Sequence, residues 1–379
     1  MRHSALLIIN SGSSSVKFQV FSNTENLDLL AKGKIINIGG EPSFTAVNET
    51  SKHQRTLITL EKGMTYEQAI HLILDWISQQ QQNWEIHAVA HRVVHGGEYF
   101  TQSVLVTPQI ISQLETLNSL APLHQPHNLA AIKIIKKIKP ELPQIACFDT
   151  AFHAQHTPLF TTCALPEYLR QQGIRRYGFH GLSYEWISLV LKKDYPDLAN
   201  NRIIIAHLGN GASLCAMDKG VSIDTTMSLT ALDGLPMGTR CGSLDPGAVI
   251  YMMRELNLPP DKLEEILYND SGLLGLSGKT NNVLELQSSP DKNAQFALEY
   301  FCLKTAQFIG MMTISLGGVD GIVFTGGIGE NSESIRANIL KRIECLHPFS
   351  VIVIPANEEK MMAMHTLTAS GRKGVFLLA

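Results

Sequence analysis

Short apolar runs that end on small, hydroxyl-rich turns occur at two places in the chain, about half its length apart. Leu6-Leu7-Ile8-Ile9 leads into Asn10-Ser11-Gly12-Ser13-Ser14-Ser15-Val16-Lys17, and Ile203-Ile204-Ile205-Ala206 leads into His207-Leu208-Gly209-Asn210-Gly211-Ala212-Ser213. In each, a buried strand feeds a Gly/Ser/Asn turn whose backbone N–H groups can face an anion. The second turn is a residue longer than the first. Two such turns point to a nucleotide held between two related halves, whereas one alone would read as an ordinary strand connection.

The surrounding pattern alternates hairpins and helices. The first turn continues into an alternating strand over 16–21, and 37–60 is strand-like with polar turns. Apolar residues at helical spacing (Ala69, Ile70, Ile73, Leu74, Ile77) predict a helix over 66–82, with Gln79 to Gln82 as its frayed end. A strand follows at 86–94, then helices at 108–119 and 126–138, and a short apolar strand at 145–148 that stops on Asp149. The second half repeats the theme. It has a strand at Ile203 with its hairpin, helices at 246–255 and 291–316, and a strand over 321–324 that runs into Gly326-Gly327-Ile328-Gly329-Glu330-Asn331-Ser332. A helix is predicted to begin at Ser332, and 351–354 is a last strand before Pro355. The tail, with a short strand at 375–378, is read as returning to the first half. The expected domains are therefore 1–149 plus 360–379, and 150–359. No G-x-G-x-x-G strand–helix unit supports a Rossmann fold.

Length and charge narrow the function. The 379 residues suffice for two domains with separate cores. A net charge of −3 argues against nucleic acid as the main partner. The six cysteines show no C-x-x-C pair, which fits reduced thiols in a cytoplasmic protein. The apolar run at the N-terminus is too short for a signal peptide or a membrane span, and no other stretch reads as spanning a bilayer.

Five segments in order resemble signatures of the acetate kinase family. They are Asn10 to Lys17, Arg175-Arg176-Tyr177-Gly178-Phe179-His180-Gly181, His207 to Ser213, Met237-Gly238-Thr239-Arg240, and Phe324-Thr325-Gly326-Gly327-Ile328-Gly329-Glu330-Asn331. The resemblance spans essentially the whole chain. It implies an α/β fold of two duplicated, ribonuclease H-like domains of the actin-type ATPase class, with a nucleotide cleft between them and a homodimer joined through the second domains. It also implies ATP or ADP, Mg²⁺ (with Mn²⁺ as a substitute), and acetate or acetyl phosphate as ligands.

The residue roles follow from the same likeness. Arg92 and Arg240 would hold the carboxylate and the transferred phosphoryl group, each offering a planar fork of donors. Taken alone, either arginine could equally sit in a structural ion pair. His180 and Arg240 would stabilise the transition state, with Arg92 and Asp149 completing the catalytic set. A lone histidine beside aromatics is otherwise more often a packed core residue. His124 resembles the family's other active-site histidine. Val94, Leu123 and Phe179 would join Arg92 in the substrate pocket. Ser13, Ser15, Lys17, His207, Leu208, Gly209, Asn210, Gly211, Asn282, Val283, Leu284, Gly327, Ile328, Gly329 and Asn331 would contact the nucleotide. Asn10, Glu358 and Asp149 would serve the metal, although Asp149 could also be a turn residue and Glu358 a solvated helix start. A carboxylate is already ionised at neutral pH, so direct in-line transfer needs no general base.

Two positions depart from the family. Ala231 stands where a proline is expected in the acyl pocket. The run Ser277-Gly278-Lys279-Thr280-Asn281-Asn282-Val283-Leu284 lacks the arginine that many relatives place by the adenine. Ala231 keeps propionate or butyrate kinase as the alternative within the family. A non-catalytic ATP-binding switch of the actin superfamily is the alternative outside it.

Overall fold

The computed structural model describes residues 3–50, 54–80 and 84–369. Gln81, Gln82 and the expected strand at 375–378 lie outside the described residues. The chain forms two compact units, Met1–Ala151 with Asn357–Ala379 (unit 1) and Phe152–Ala356 (unit 2).

Unit 1 holds a mixed sheet of β1 (His3–Ser11), β2 (Val16–Ser22), β3 (Leu29–Ile36), β4 (Ser43–Asn48), β5 (Gln54–Thr59), β6 (Trp84–Val93), β7 (Val104–Leu105) and β8 (Gln144–Phe148). Its order is β5-β4-β3-β2-β1-β6-β8-β7. β1 to β5 form an antiparallel meander, whereas β1, β6 and β8 run parallel. β1 lies between β2 and β6 and is covered on both faces, so Ala5 to Ile9 are all buried and the strand reads as a continuous apolar run. One core layer packs Leu7, Phe18, Phe44 and Trp76, and another packs Val93, Leu117, Ile132 and Phe148. Helix Tyr66–Ser78 begins with a capping box in which Thr65 and Gln68 exchange side-chain and backbone bonds.

Unit 2 has β9 (Arg202–Leu208), β10 (Ala212–Asp218), β11 (Val221–Thr225), β12 (Gly321–Thr325) and β13 (Ser350–Val353), in the order β11-β10-β9-β12-β13. β9 to β11 are antiparallel, and β9, β12 and β13 are parallel. The sequence β3-β2-β1-β6-β8 of unit 1 thus recurs strand for strand, and each unit opens with a hairpin closed by one of the two small-residue turns. The duplicated α/β fold implied by the family resemblance, with the two related halves expected from the turns, is the fold observed. Helix Lys292–Leu316 is capped by Asp291, whose side chain accepts the Asn293 N–H, and ends on left-handed Gly317.

Several elements went unread, among them helices Gly181–Asp194 and Pro260–Asn269, β3 and a short helix after β12. β3 went unread because Lys32, Gly33 and Lys34 interrupt its apolar run. Lys32 and Lys34 are exposed, and a β-carbon at Gly33 would lie 2.7 Å from the Thr45 carbonyl oxygen. The glycine-rich stretch after β12, given no element in the sequence reading, forms a short helix, Gly326–Asn331. Its entry depends on Gly326 at φ 78°, where a β-carbon would press on the Leu208 carbonyl.

His91, on β6, is buried, and its Nε2 lies 2.7 Å from the Gln144 Oε1. Burial pushes its pKa down to about 4, against a small opposing effect of that hydrogen bond. The unfolded chain takes up this proton near pH 6.5, before the folded one does. Stability is therefore expected to be full above about pH 6.5 and to fall as pH drops towards 4. Urea midpoints measured from pH 7 to 4 check this, and His91→Asn should flatten the slope.

Candidate active site

The ends of three adjacent parallel strands gather the polar residues of unit 1. Register pairs Ile9 with His91 and Arg92 with Cys147. Asn10, Arg92 and Asp149 therefore follow one another across the sheet at the ends of β1, β6 and β8. Arg92 Nε lies 3.0 and 3.1 Å from the two Asp149 oxygens, and Nη2 lies 2.6 Å from Oδ2. Nη1 is 3.4 Å from Glu358 Oε2, at the start of helix Glu358–Ala369. Burial works against the guanidinium charge, but Asp149 and then Glu358 outweigh it and hold the pKa above the ordinary arginine value. Next to it, burial and then the Glu358 charge raise the pKa of Glu359.

This end of the sheet is held by amide side chains from helix Gln125–Ile138. Asn128 accepts the Val94 N–H at 3.1 Å and donates to the Ser11 carbonyl at 2.7 Å. Gln125 accepts the His95 N–H and donates to the His95 carbonyl. Thr150 accepts the Gly96 N–H. The first turn is closed by Gly12 N–H bonding to the Ser15 carbonyl, and Ser13, Ser14 and Lys17 are exposed on it. The buried Ser11 hydroxyl has no hydrogen-bond partner among the described residues.

In unit 2, the second turn is flanked by His180, His207 and Arg240. A β-carbon built on Gly211 would lie 3.3 Å from His180 Nε2 and 3.9 Å from Arg240 Nη1. One built on Gly209 would lie 3.9 Å from the Gly327 nitrogen and 4.0 Å from His207 Nε2. Only glycine leaves this space open. His180 Nδ1 is 2.8 Å from Ser213 Oγ, which also bonds to Tyr184. The His180 and His207 rings stack at 4.4 Å, and His207 Nδ1 is 2.8 Å from Ser183 Oγ. Arg240 donates to the Ala231 carbonyl at 3.0 Å, which places Ala231 next to this guanidinium. Asn210 carbonyl accepts the Gly238 N–H, and its side-chain oxygen accepts from Asn281.

The acetokinase family model matches residues 5–348. An acetate kinase of Rhodopseudomonas palustris is 46% identical over 345 residues, covering 89% of this chain and 85% of that protein. The acetate kinase of Nitrobacter hamburgensis is 42% identical, with 96% of each chain covered. The chain belongs to the acetokinase family. It is an ATP-dependent kinase, which sets aside a non-catalytic switch. Among solved structures, a propionate kinase from Francisella tularensis superposes with a TM-score of 0.90 at 35% identity, covering 96% of this chain and 98% of that one. The acetate kinase of Porphyromonas gingivalis gives 0.86 at 32% identity, with 97% and 100% covered.

The family-derived residues fall into two groups by unit. Unit 1 carries Asn10, Ser13, Ser15, Lys17, Arg92, Val94, Leu123, Asp149 and Glu358. Unit 2 carries Phe179, His180, His207 to Gly211, Arg240, Asn282 to Leu284, Gly327, Ile328, Gly329 and Asn331. Val94 and Phe179 are buried. Asn282 caps helix Val283–Ser288, whereas Leu284 is 70% exposed. Asn331 donates back to the Gly327 carbonyl. The open question of an ion pair is answered for Arg92, which is bidentate on Asp149. The sequence reading missed Asn128, Gln125, Ser183, Tyr184 and Ser213. The i, i+3 spacing of Gln125 and Asn128 after a proline-flanked loop is the one signal that marked a pair of amides on a single helix face.

Asn128→Ala strips a partner from two buried backbone groups at once. It should cost about 1–3 kcal/mol for each group left unsatisfied. The shift in the urea midpoint at constant slope measures it.

Proposed function

We propose that the protein transfers the γ-phosphoryl group of ATP directly and reversibly to acetate, giving acetyl phosphate and ADP. The observation that carries this reading is the turn at Gly211, flanked by His180 Nε2 and Arg240 Nη1, in a chain matched to the acetokinase family almost end to end. An acetate oxygen forms the new bond to the γ-phosphorus as the bridging oxygen leaves with ADP. The carboxylate needs no deprotonation, so the enzyme's work is positioning and charge stabilisation.

Arg240 supplies a guanidinium that the Ala231 carbonyl holds in place. His180 Nε2 donates to a phosphoryl oxygen in the tautomer in which Ser213 donates to Nδ1. Arg92 is the second guanidinium, oriented by Asp149 and Glu358. The backbone N–H groups of the two turns, with Ser13, Ser15 and Lys17 and with Gly327 and its neighbours, receive the nucleotide. Asp149, Glu358 and Asn10 present hard oxygen donors that suit Mg²⁺, or Mn²⁺ in its place. Two carboxylates suffice for an ion that keeps waters and phosphates as its other ligands. When bound, the ion supplies neutralisation of phosphate charge. Unit 2 is proposed as the nucleotide-binding and dimerisation domain, a homodimer being supported by exposed Tyr251, Phe296, Met311 and Ile314. The cytoplasm is the proposed location; among the described residues no helix is long and apolar enough to cross a membrane.

Arg240→Ala should lower kcat by about 10²–10³, as expected for a lost preorganised contact to the transition state. Trapping acyl phosphate as hydroxamate from ATP and acetate reads it, and near-normal turnover in the folded variant removes Arg240 from the mechanism.

Propionate is a second substrate reading, favoured by Ala231 beside Arg240. One methylene in an apolar pocket is worth about 1–3 kcal/mol either way. Acetate should be the best substrate, with propionate accepted at a reduced but substantial rate and butyrate least. Ala231→Pro retains the carbonyl that holds Arg240 and should shift the ratio further towards acetate. The kcat/KM values of the acids in both forms decide it, and an unchanged ratio takes Ala231 out of the pocket.

A further inference from the structure

His180 stands on backbone that a non-glycine residue avoids. Its φ and ψ are 58° and 21°, in the left-handed region, and it heads helix Gly181–Asp194 without a side-chain cap. Gly178, two residues earlier, has φ 87°. Such a conformation persists only where the surroundings over-determine it. Thr225 packs against Gly178 and the Ser228 carbonyl accepts the Gly178 N–H, while His153 takes the Phe179 carbonyl. The His153 Nε2 lies 3.0 Å from the Phe179 carbonyl oxygen, and its ring fills the space beside Gly178, where a β-carbon would come within 2.7 Å of Cδ2.

The other ring nitrogen of His153 opens a buried chain. His153 Nδ1 is 2.8 Å from Ser222 Oγ, and Ser222 Oγ is 2.7 Å from His156 Nε2 and 3.3 Å from Cys215 Sγ. All four side chains are at least nine-tenths buried. Donor and acceptor roles follow from one end. A carbonyl only accepts, so His153 Nε2 carries the proton and Nδ1 of the neutral ring accepts. Ser222 spends its single proton on Nδ1. Its oxygen then receives the His156 Nε2–H, and the Cys215 thiol, which also reaches the Ala216 carbonyl, lies against it. The polarity runs one way, towards Phe179, and no member carries charge. Burial agrees, pushing His153 down to about 4, His156 to about 3 and the Cys215 thiol up to about 12.

We infer that His153, oriented by Ser222, is a positioning residue that holds the Phe179 carbonyl and thereby keeps His180 in its left-handed conformation with Nε2 at the Gly211 turn. The inference rests on the reading of His180 as a donor to the phosphoryl group. A buried, single-direction chain of hydrogen bonds fixes one tautomer and one ring orientation of His153 against the Phe179 carbonyl.

The test uses the full-length protein and the variants His153→Phe, Ser222→Ala, Ser222→Thr and His180→Ala. His153→Phe should lower kcat about 10- to 100-fold, the scale of a misplacement near 1 Å, with the KM values for ATP and acetate changing less than about 3-fold. Ser222→Ala should lose part of this and Ser222→Thr, which keeps the hydroxyl, should restore it. His153→Phe added to His180→Ala should cost nothing further; a full additive loss overturns the inference. The ring nitrogens of ¹⁵N-histidine protein give a readout independent of turnover. His153 should show a protonated Nε2 and a bare Nδ1, and Ser222→Ala should move the His180 ring signals. A reversed His153 tautomer, or unmoved His180 signals in folded Ser222→Ala, overturns the inference even if His153→Phe does not fold. A wild-type rate in His180→Ala with the expected ring signals instead overturns the catalytic reading and leaves the positioning intact.

Discussion

A buried strand that stops must still satisfy the N–H and C=O groups of its last residues, and in this protein side chains from neighbouring helices and loops do so. An unpaired buried backbone group costs free energy comparable to a lost hydrogen bond, so such ends are fixed in place. At the end of β6, Val94 and His95 are bonded by Asn128 and Gln125, and the same Asn128 reaches the Ser11 carbonyl at the end of β1. In unit 2 the Phe179 carbonyl is taken by His153. The side chains proposed for the site sit one or two residues from these anchored groups. Arg92 precedes Val94 by two positions, Asn10 precedes Ser11, and His180 follows Phe179. Rigidity is thus a by-product of backbone satisfaction at the strand ends of unit 1 and, in unit 2, in the loop before helix Gly181–Asp194.

Charge follows the same economy of placement. Arg92 remains a cation in a partly buried position because Asp149 meets it with two oxygens and Glu358 meets the remaining nitrogen. A buried cation left without such partners would be far costlier than the pair is favourable. The buried histidines take the opposite course. His91, His153 and His156 are held neutral by desolvation, and each uses its ring as a directional hydrogen-bonding group. Charge is kept at the strand end that faces chemistry, and neutral imidazole is used where the task is orientation.

These differences set what was legible in the sequence. The two turns were visible because a fully covered strand must be continuously apolar and a tight turn must be small, and both constraints are local. The family signatures contain His180 and Arg240, and the likeness over the whole chain pointed to Arg92 and Asp149. β3 stayed hidden because Lys32 and Lys34 point outward while Gly33 replaces the expected inward apolar residue. The helix Gly326–Asn331 stayed hidden because its stability comes from Glu330 and Asn331 bonding back onto the glycine backbone, not from propensity. Asn128 and Ser222 were out of reach for a different reason. Each serves a backbone or ring atom far away in sequence, 117 positions in the case of Asn128 and Ser11 and 69 for Ser222 and His153. The spacing of Gln125 and Asn128 marks an amide face, but neither Asn128 nor Ser222 carries a mark of its distant partner.

Duplication explains why one strand order supports two chemically different neighbourhoods. In both sheets the first strand leads into a hairpin on one side and pairs in parallel on the other, so each turn opens beside the ends of parallel strands. In open α/β sheets that edge is where ligands bind, because strand ends there must be completed by loops. The strand order leaves the completing residues free to differ. Unit 1 fills the edge with Arg92, two carboxylates and an amide, which suits a cation and an anionic oxygen together. Unit 2 fills it with two stacked imidazoles, a guanidinium and glycine backbone, a set rich in N–H groups that suits phosphate. The sign and hydrogen-bond character of each edge are therefore set by the few residues that finish the strands, and the duplicated fold contributes only the place where they stand.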